Sequence, residues 1–343
     1  MKVLILTGRF GMGHYSAAEA VKQEILTVSP DAEIDVVDII DDMFPCLSKK
    51  IYKGFNFLVS KCSCVYNFLN SITAKYSDVP LKKSFINKTE NLLTKYQADL
   101  VISTLPASSQ YISAYKMLKR CNIPLYTYIT DITAHEEWIA EKTDMYFVGS
   151  FSTKNTLISK GVSEQKIVVC GIPVKQNFKN SNHSEDRKEK KEILIMGGGL
   201  GIIPSYDVLL NALCEIQSIH ITLIAGKNKK LYNKIKNAFP QITVIGYTDQ
   251  VYEYMRTADL IITKSGGITV FEAIYTQTPL YIVKPFLVQE IGNAEFVQNL
   301  NIGRVIWSKN INITEDVISL LSNQQLLDTM KNNMKNVKDE MEP

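Results

Sequence analysis

Thr263-Lys264-Ser265-Gly266-Gly267-Ile268-Thr269-Val270-Phe271-Glu272 has the make-up of an anion cradle. An apolar run at 258–262 precedes it and reads as a short buried strand. A helix-like pattern carrying Val270, Phe271, Ala273 and Ile274 follows it. Strand, glycine turn and helix start, in that order, aim free backbone N–H groups and the positive end of a helix dipole at one point, which suits a phosphate. Lys264 adds positive charge nearby. Glu272, one turn into the helix, offers a carboxylate to ribose hydroxyls. By itself a Ser-Gly-Gly turn is weak grounds for a nucleotide site. Gln289, Glu290 and Asn293 strengthen it, because their side chains can read sugar hydroxyls at the mouth of the same pocket.

A second place for chemistry lies near the start of the chain. Gly8-Arg9-Phe10-Gly11-Met12-Gly13-His14 follows the apolar run at 2–7, and doubly wound folds put ligands at the carboxyl ends of such strands. Gly11 and Gly13 let the backbone approach a substrate, and the His14 imidazole can take a proton from an acceptor hydroxyl as a general base. The same position also suits a capping or loop histidine with no catalytic part. Thr130-Asp131-Ile132-Thr133-Ala134-His135-Glu136-Glu137-Trp138 follows another strand end and should line the same cleft. Asp131, His135 and Trp138 can handle an acceptor or orient His14; the alternative is a capped helix start with Asp131 or Thr133 as the cap.

Several chemistries are disfavoured. No Asp-x-Asp occurs and no His, Cys or Asp cluster has ligand spacing, so no metal site is expected. A diphosphate here would be neutralised by a helix N-terminus. No Gly-x-x-x-x-Gly-Lys-Ser/Thr loop and no serine elbow is present. The six cysteines read as free thiols of a reducing compartment.

The elements that must position these residues follow from periodicity. With 343 residues, 45% of them apolar and 21% charged, the chain has the profile of a soluble protein of two ordinary domains. Strands are expected at 2–7, 34–37, 100–102, 125–129, 145–148 and 167–169, with a helix from about Ser16 to Leu26. After the charged stretch 175–191 a second unit opens like the first, with a strand at 193–196, then Gly197-Gly198-Gly199-Leu200-Gly201, then a helix near 207–216. Further strands are expected at 221–224, 243–245, 260–262, 280–283 and 305–307. Alternation of strands and helices argues for two α/β units, each a doubly wound parallel sheet, facing each other across a cleft. The tail from about Ile313 reads as helical and polar.

The segment 44–81 fits neither sheet. Ile51, Phe55, Leu58, Val59, Cys62, Tyr66 and Leu69 recur at helical spacing, interleaved with lysines and aromatics. Between Lys49 and Lys95 nine lysines stand against Asp78 and Glu90, whereas the net charge of the whole chain is +3. That total is too small to imply nucleic acid. A basic amphipathic helix of this kind can lie in a membrane interface, or it can pack on its domain with solvated lysines.

Taken together, the motifs resemble glycosyltransferase family 28, specifically the diacylglycerol glycosyltransferases: monogalactosyldiacylglycerol synthases and the bacterial processive diacylglycerol glucosyltransferases. The resemblance covers nearly the whole chain. It rests on Gly11-Met12-Gly13-His14-Tyr15-Ser16-Ala17-Ala18, Thr130-Asp131 with His135 and Trp138, Gly171-Ile172-Pro173-Val174, Met196-Gly197-Gly198-Gly199-Leu200-Gly201, Gly246-Tyr247-Thr248, the 263–272 stretch, and Gln289-Glu290-x-x-Asn293.

That resemblance implies a GT-B enzyme that moves a hexose from UDP-glucose or UDP-galactose to a lipid hydroxyl, with inversion and without a metal or other cofactor. It implies His14 as the base, with Asp131 beside it, and Gly11, Gly13, His135 and Trp138 near the acceptor. It implies Ser265, Gly266 and Gly267 as the diphosphate cradle with Lys264, Gly198, Gly199 and Gly201, Glu272 as ribose ligand, and Gln289, Glu290 and Asn293 as sugar readers. Gly246 and Tyr247 would edge the uracil. Lys49, Lys50, Lys53, Phe55, Phe57 and Lys61 would meet an anionic membrane surface, which places the protein in the cytoplasm, peripheral on the inner face of the cell membrane. The implied division is 1–172 for acceptor and membrane, 173–191 as linker, 192–312 for the donor, and a helical tail 313–343 that can pack back on the first domain.

Two departures from the family pattern bear on the site. Ser265 stands where the family usually has Pro, which loosens the turn or adds a hydroxyl donor to phosphate. Leu287-Val288 stand where Pro-Gly usually precedes the Gln-Glu pair, which leaves the sugar open. They also leave room for an amphiphilic natural product as acceptor, and a UDP-sugar epimerase of the same fold is a further alternative.

Overall fold

The computed structural model describes residues 1–10, 12–61, 82–133, 135–180, 189–199, 201, 206–283, 285, 288–308 and 311–341, without the side chains of 56–61, 82–85, 288 and 289. The chain divides into two compact units, Met1–Gln176 and Asn177–Pro343. Each is a six-stranded, all-parallel sheet with helices between the strands.

In the first unit the strands are β1 (Lys2–Thr7), β2 (Glu33–Asp38), β3 (Leu100–Ser103), β4 (Leu125–Tyr128), β5 (Met145–Val148) and β6 (Ile167–Val169). Their order is β2-β1-β3-β4-β5-β6. The central strand β1 shows why. Val3 and Ile5 join Ala18, Val21 and Ile102 in one cluster, while Leu4 and Leu6 join Val37, Leu92, Val101 and Ile112 in another. Side chains of a strand alternate between faces, so a run buried on both sides must be covered on both sides, as parallel sheets are. The covering helices are α1 (Gly13–Val28), α2 (Ile39–Met43), α3 (Ser48–Lys61), α4 (Lys82–Tyr96), α5 (Pro106–Lys119) and α6 (Phe151–Ser159). The chain leaves β1 towards β2 on one side, and β3 lies on the other. The crevice above the ends of β1 and β3 is therefore the topological switch point.

Helix α7 (Gln176–Lys179) spans the division in sequence, and the second unit contains β7 (Lys191–Met196), β8 (Ile219–Ile224), β9 (Thr243–Ile245), β10 (Leu260–Thr263), β11 (Leu280–Val283) and β12 (Gly303–Ile306) in the order β12-β11-β10-β7-β8-β9. Its switch point lies between β7 and β10, paired so that Thr263 stands opposite Met196. Helices α8 (Tyr206–Cys214), α9 (Lys229–Ala238), α10 (Val251–Thr257), α11 (Gly267–Thr276) and α12 (Val288–Asn299) complete the winding.

The tail is less polar in effect than its composition suggests. Helices α13 (Ile313–Ser322) and α14 (Gln324–Met341) bury Val317, Leu320 and Leu321, then Leu327, Met330, Met334, Val337 and Met341. The second set falls at alternating spacings of three and four, a single apolar stripe on a charged helix. Leu327 and Met330 belong to the core of the second unit.

Of the segment 44–81, residues 62–81 lie outside the described residues. A turn at 45–47, with Leu47 exposed, leads into α3, where Lys49, Lys50, Ile51 and Lys53 are exposed and Ser48 is buried. Phe55 is half-buried, and the side chains of Phe57 and Lys61 lie outside the described residues. Cys46, Cys121, Cys170 and Cys214 are free thiols. Among the described residues no helix is long and apolar enough to cross a membrane.

Candidate active site

In the second unit the two glycine turns lie side by side, because the strands that deliver them, β7 and β10, are paired. Gly198 and Gly201 have φ of +67° and +61°, and a Cβ on Gly201 would sit 2.1 Å from the Ala225 carbonyl oxygen. No other residue fits there. The turn is stapled to the one after β8, since Lys227 N–H donates to Gly199 O at 3.1 Å. Leu200 lies outside the described residues.

Gly266 is the N-cap of α11 and brings no side chain to cap the first-turn amides, the state in which a helix N-terminus can receive an anion. Gly267 begins the helix, and Glu272 lies half-buried one turn in. Gly198 faces the Lys264 stem, with 3.8 Å between a Cβ built on the glycine and Lys264 Cε.

Four residues expected at the donor site, Lys264, Ser265, Glu290 and Asn293, are bonded to one another. Ser265 is wholly buried, and its hydroxyl donates to Glu290 O at 2.6 Å. The expected hydroxyl donor to phosphate is therefore directed into the protein. Asn293 Nδ2 donates to Ser265 O at 2.8 Å, and Lys264 Nζ to Glu290 Oε1 at 3.0 Å. Glu290 and Asn293 are 2% and 1% exposed. Together they join the turn after β10 to the first turns of α12. The side chain of Gln289, and Leu287, lie outside the described residues. Gly246 is open around its Cα. The half-exposed Tyr247 donates from its hydroxyl to Asp249 Oδ1 at 3.1 Å, with Lys227 Nζ 5.2 Å above its ring.

In the first unit α1 starts at Gly13, earlier than the apolar pattern indicates, so His14 belongs to the first helical turn. Met12 takes the N-cap with φ 70°, a left-handed conformation without a side-chain cap bond. Gly11 lies outside the described residues.

Threonines from two neighbouring strand ends bond His14, and a third, Thr7, backs one of them. Thr104 Oγ1, after β3, stands 3.0 Å from His14 O and 2.9 Å from Thr7 Oγ1, at the end of β1. Thr130 Oγ1, after β4, stands 2.8 Å from His14 Nδ1. Burial holds the imidazole pKa below its ordinary value; the Asp131 carboxylate and the Thr104 backbone oppose that without reversing it. The ring is therefore neutral at pH 7, the form that can accept a proton.

Asp131 Oδ2 accepts from Trp138 Nε1 at 3.2 Å. Trp138 has no exposed surface and packs with Ile129, Tyr146, Val148 and Leu157. The expected acceptor-side tryptophan is thus a buried prop for Asp131, with its ring 6.1 Å from that of His14. His135 caps the short 3-10 turn Glu136–Trp138, and its Nε2 is enclosed without a partner among the described residues. Neither Asp131 nor Thr133 caps a helix there. Sequence reasoning singled out Asp131 and missed Thr104; the available signal was a threonine closing each of three strands that the fold makes neighbours.

Residues 14–174 match the family model described as monogalactosyldiacylglycerol (MGDG) synthase, and residues 192–342 match the glycosyltransferase family 28 C-terminal domain. A processive diacylglycerol beta-glucosyltransferase of Staphylococcus epidermidis is 28% identical over 354 residues, covering 97% of this chain and 88% of the relative. Among solved structures, MurG of Acinetobacter baumannii superposes with a TM-score of 0.62 at 16% identity over 99% of this chain and 98% of the other. UDP-GlcNAc 2-epimerase of Neisseria meningitidis, bound to UDP-GlcNAc, gives 0.61 at 16% identity over 99% and 97%. At such identities the structures establish a shared GT-B fold and nothing finer. With two family models matched in succession and relatives aligned from end to end, the chain belongs to glycosyltransferase family 28, with a first unit of the MGDG synthase type.

Proposed function

We propose that this protein transfers a glucosyl residue from UDP-glucose to the hydroxyl of diacylglycerol, by one inverting displacement and without a metal ion, at an anionic membrane surface. The observation that carries the reading is the His14 imidazole, at the start of α1, held 2.8 Å from Thr130 at the switch crevice of a chain of this family. When Nδ1 carries the proton and donates to Thr130 Oγ1, Nε2 keeps its lone pair for the acceptor hydroxyl. Asp131 then stabilises the imidazolium formed as the proton moves.

Glucose is the sugar in the name of the Staphylococcus relative, and so is the beta linkage. UDP-glucose carries its sugar in the alpha sense, so a beta product requires inversion. The uncapped first turn of α11 can take the charge of departing UDP, and no group of His, Cys, Asp or Glu among the described residues is placed to hold a metal ion. On α3 the exposed Lys49, Lys50 and Lys53 beside Leu47 and Ile51 suit an anionic interface, at about 1 kcal/mol per lysine near such a surface.

The test is mass spectrometry of products from purified protein with EDTA, given UDP-glucose or UDP-galactose and diacylglycerol in neutral or anionic vesicles. Glucosyl-diacylglycerol, favoured by anionic vesicles and lost in His14→Ala while UDP binding persists, is the expected result. Conversion of the donor in the arm without acceptor would replace this reading with an epimerase. Undiminished turnover in His14→Ala would remove the imidazole from its role.

A further inference from the structure

The residues just before His14 are held from outside their own sheet. Met12, the N-cap of α1, takes a left-handed conformation without a side-chain cap bond. Arg9 N–H donates to the Tyr52 hydroxyl at 3.0 Å, and Tyr52 sits on α3. That hydroxyl in turn donates to the Asp38 carboxylate, with oxygens at 2.6 and 2.7 Å. Asp38 closes β2 and is 7% exposed; its Oδ1 also accepts the N–H groups of Ile40 and Asp41 as the N-cap of α2. One phenol thus links the backbone of Arg9 to a carboxylate that is itself fixed by a strand end and a helix start.

Rings reinforce the link. Phe10 lies 4.9 Å from the Tyr52 ring and 4.8 Å from the Phe55 ring, edge-on to the latter. The Arg9 guanidinium reaches Asp41 at 3.0 Å, but that pair is exposed and contributes little. The phenol–carboxylate bond is part-buried and charge-assisted, the stronger kind.

We propose that Tyr52, seated on Asp38, is a positioning residue for His14: it fixes Arg9 and Phe10, and through them the N-cap and first turn of α1. The proposal rests on the reading of His14 as the base. A general base must lie within hydrogen-bond reach of its proton, and a displacement of about 1 Å can cost a hundredfold in rate.

The test compares Tyr52→Phe, Asp38→Ala and Asp38→Asn with the full-length protein. Tyr52→Phe should lower kcat at least tenfold, with KM for UDP-glucose unchanged within twofold. Asp38→Ala should do the same. Asp38→Asn, which keeps an Oδ1 acceptor for the phenol and an equivalent cap for α2, should retain most of the activity. Hydrogen exchange of the Arg9 amide should accelerate in Tyr52→Phe while the later turns of α1 stay protected.

A fall in melting temperature with kcat and Arg9 exchange unchanged would overturn the proposal, leaving Tyr52 a packing residue only. If the wild-type protein transfers no sugar, the functional reading fails by itself, and the exchange experiment still decides whether Tyr52 holds Arg9.

Discussion

The join between the turn after β10 and α12 gives the sharpest quantitative test, because Ser265 has no surface from which to touch a ligand. Ser265→Ala removes the bond to Glu290 O, but that carbonyl lies inside α12, where i→i−4 bonding supplies a second partner. The net loss should be about 0.5–1.5 kcal/mol. Asn293→Ala is harsher: it leaves the Ser265 carbonyl, buried and bonded to Asn293 Nδ2, without that donor, a cost of about 1–3 kcal/mol. If the join pre-forms the N-terminus of α11 for a diphosphate, these losses appear in ligand affinity, where about 1.4 kcal/mol is tenfold. Isothermal titration with UDP should then show Kd rising about three- to tenfold in Ser265→Ala and more in Asn293→Ala. In the double variant the two effects should be non-additive by at least about 0.5 kcal/mol, since both bonds tie the same two segments. UDP affinity held within twofold in Ser265→Ala, with only the melting temperature lowered, would refute the idea that the join organises the donor turn.

Two further observations each carry a pair of outcomes. His14 has a depressed pKa and acts neutral, so kcat/KM should be flat around pH 7 and fall as pH drops through a value below 6.5. Asp131→Asn removes an influence that raises that pKa, so the acid limb should move further to acid even though the maximal rate drops; a limb that moves towards alkaline pH would contradict the placement of Asp131. Gly201→Ala combines φ +61° with a Cβ 2.1 Å from a backbone oxygen and should cost at least about 2 kcal/mol in urea unfolding. Gly246→Ala, with open space around its Cα, should stay within about 0.5 kcal/mol.

Much of the scaffold was legible because its parallel strands, central and edge alike, are written as short apolar runs. Met145–Val148, Ile167–Val169, Thr243–Ile245 and Leu280–Val283 fall where those runs are. The start of α1 was not, because it depends on Met12 adopting φ 70°, which no apolar period encodes. The tail was misjudged by composition, where spacing would have revealed Leu327, Met330, Met334 and Val337 on one face. At the site, residue type located the turns but not the partners. Nothing local says that Ser265 bonds Glu290 O, twenty-five positions on, or that Thr130 meets His14 across 116. Those pairings exist only once β1, β3 and β4, or β10 and β11, are neighbours.

The two units put one topological device to two uses, and the difference lies in the residues that come directly after the switch strand. In the second unit β10 runs into a glycine N-cap, so the backbone itself presents amides and a positive helix end, and polar side chains nearby are free to brace the turn. In the first unit the turn after β1 ends on Met12, and His14 enters the helix at once, so a side chain rather than the backbone faces the crevice. A side chain must be aimed, which is why Thr130 bonds the imidazole, Thr104 holds the backbone carbonyl of the same residue, and a carboxylate propped by Trp138 acts on the ring by its charge. Leaving-group stabilisation draws on dipoles that the fold supplies without side chains, whereas proton transfer draws on a tuned and oriented group. On the proposed reading of the two sites, that division of labour accounts for a Ser265 whose hydroxyl is directed inward and for a His14 held by side chains from two neighbouring strand ends.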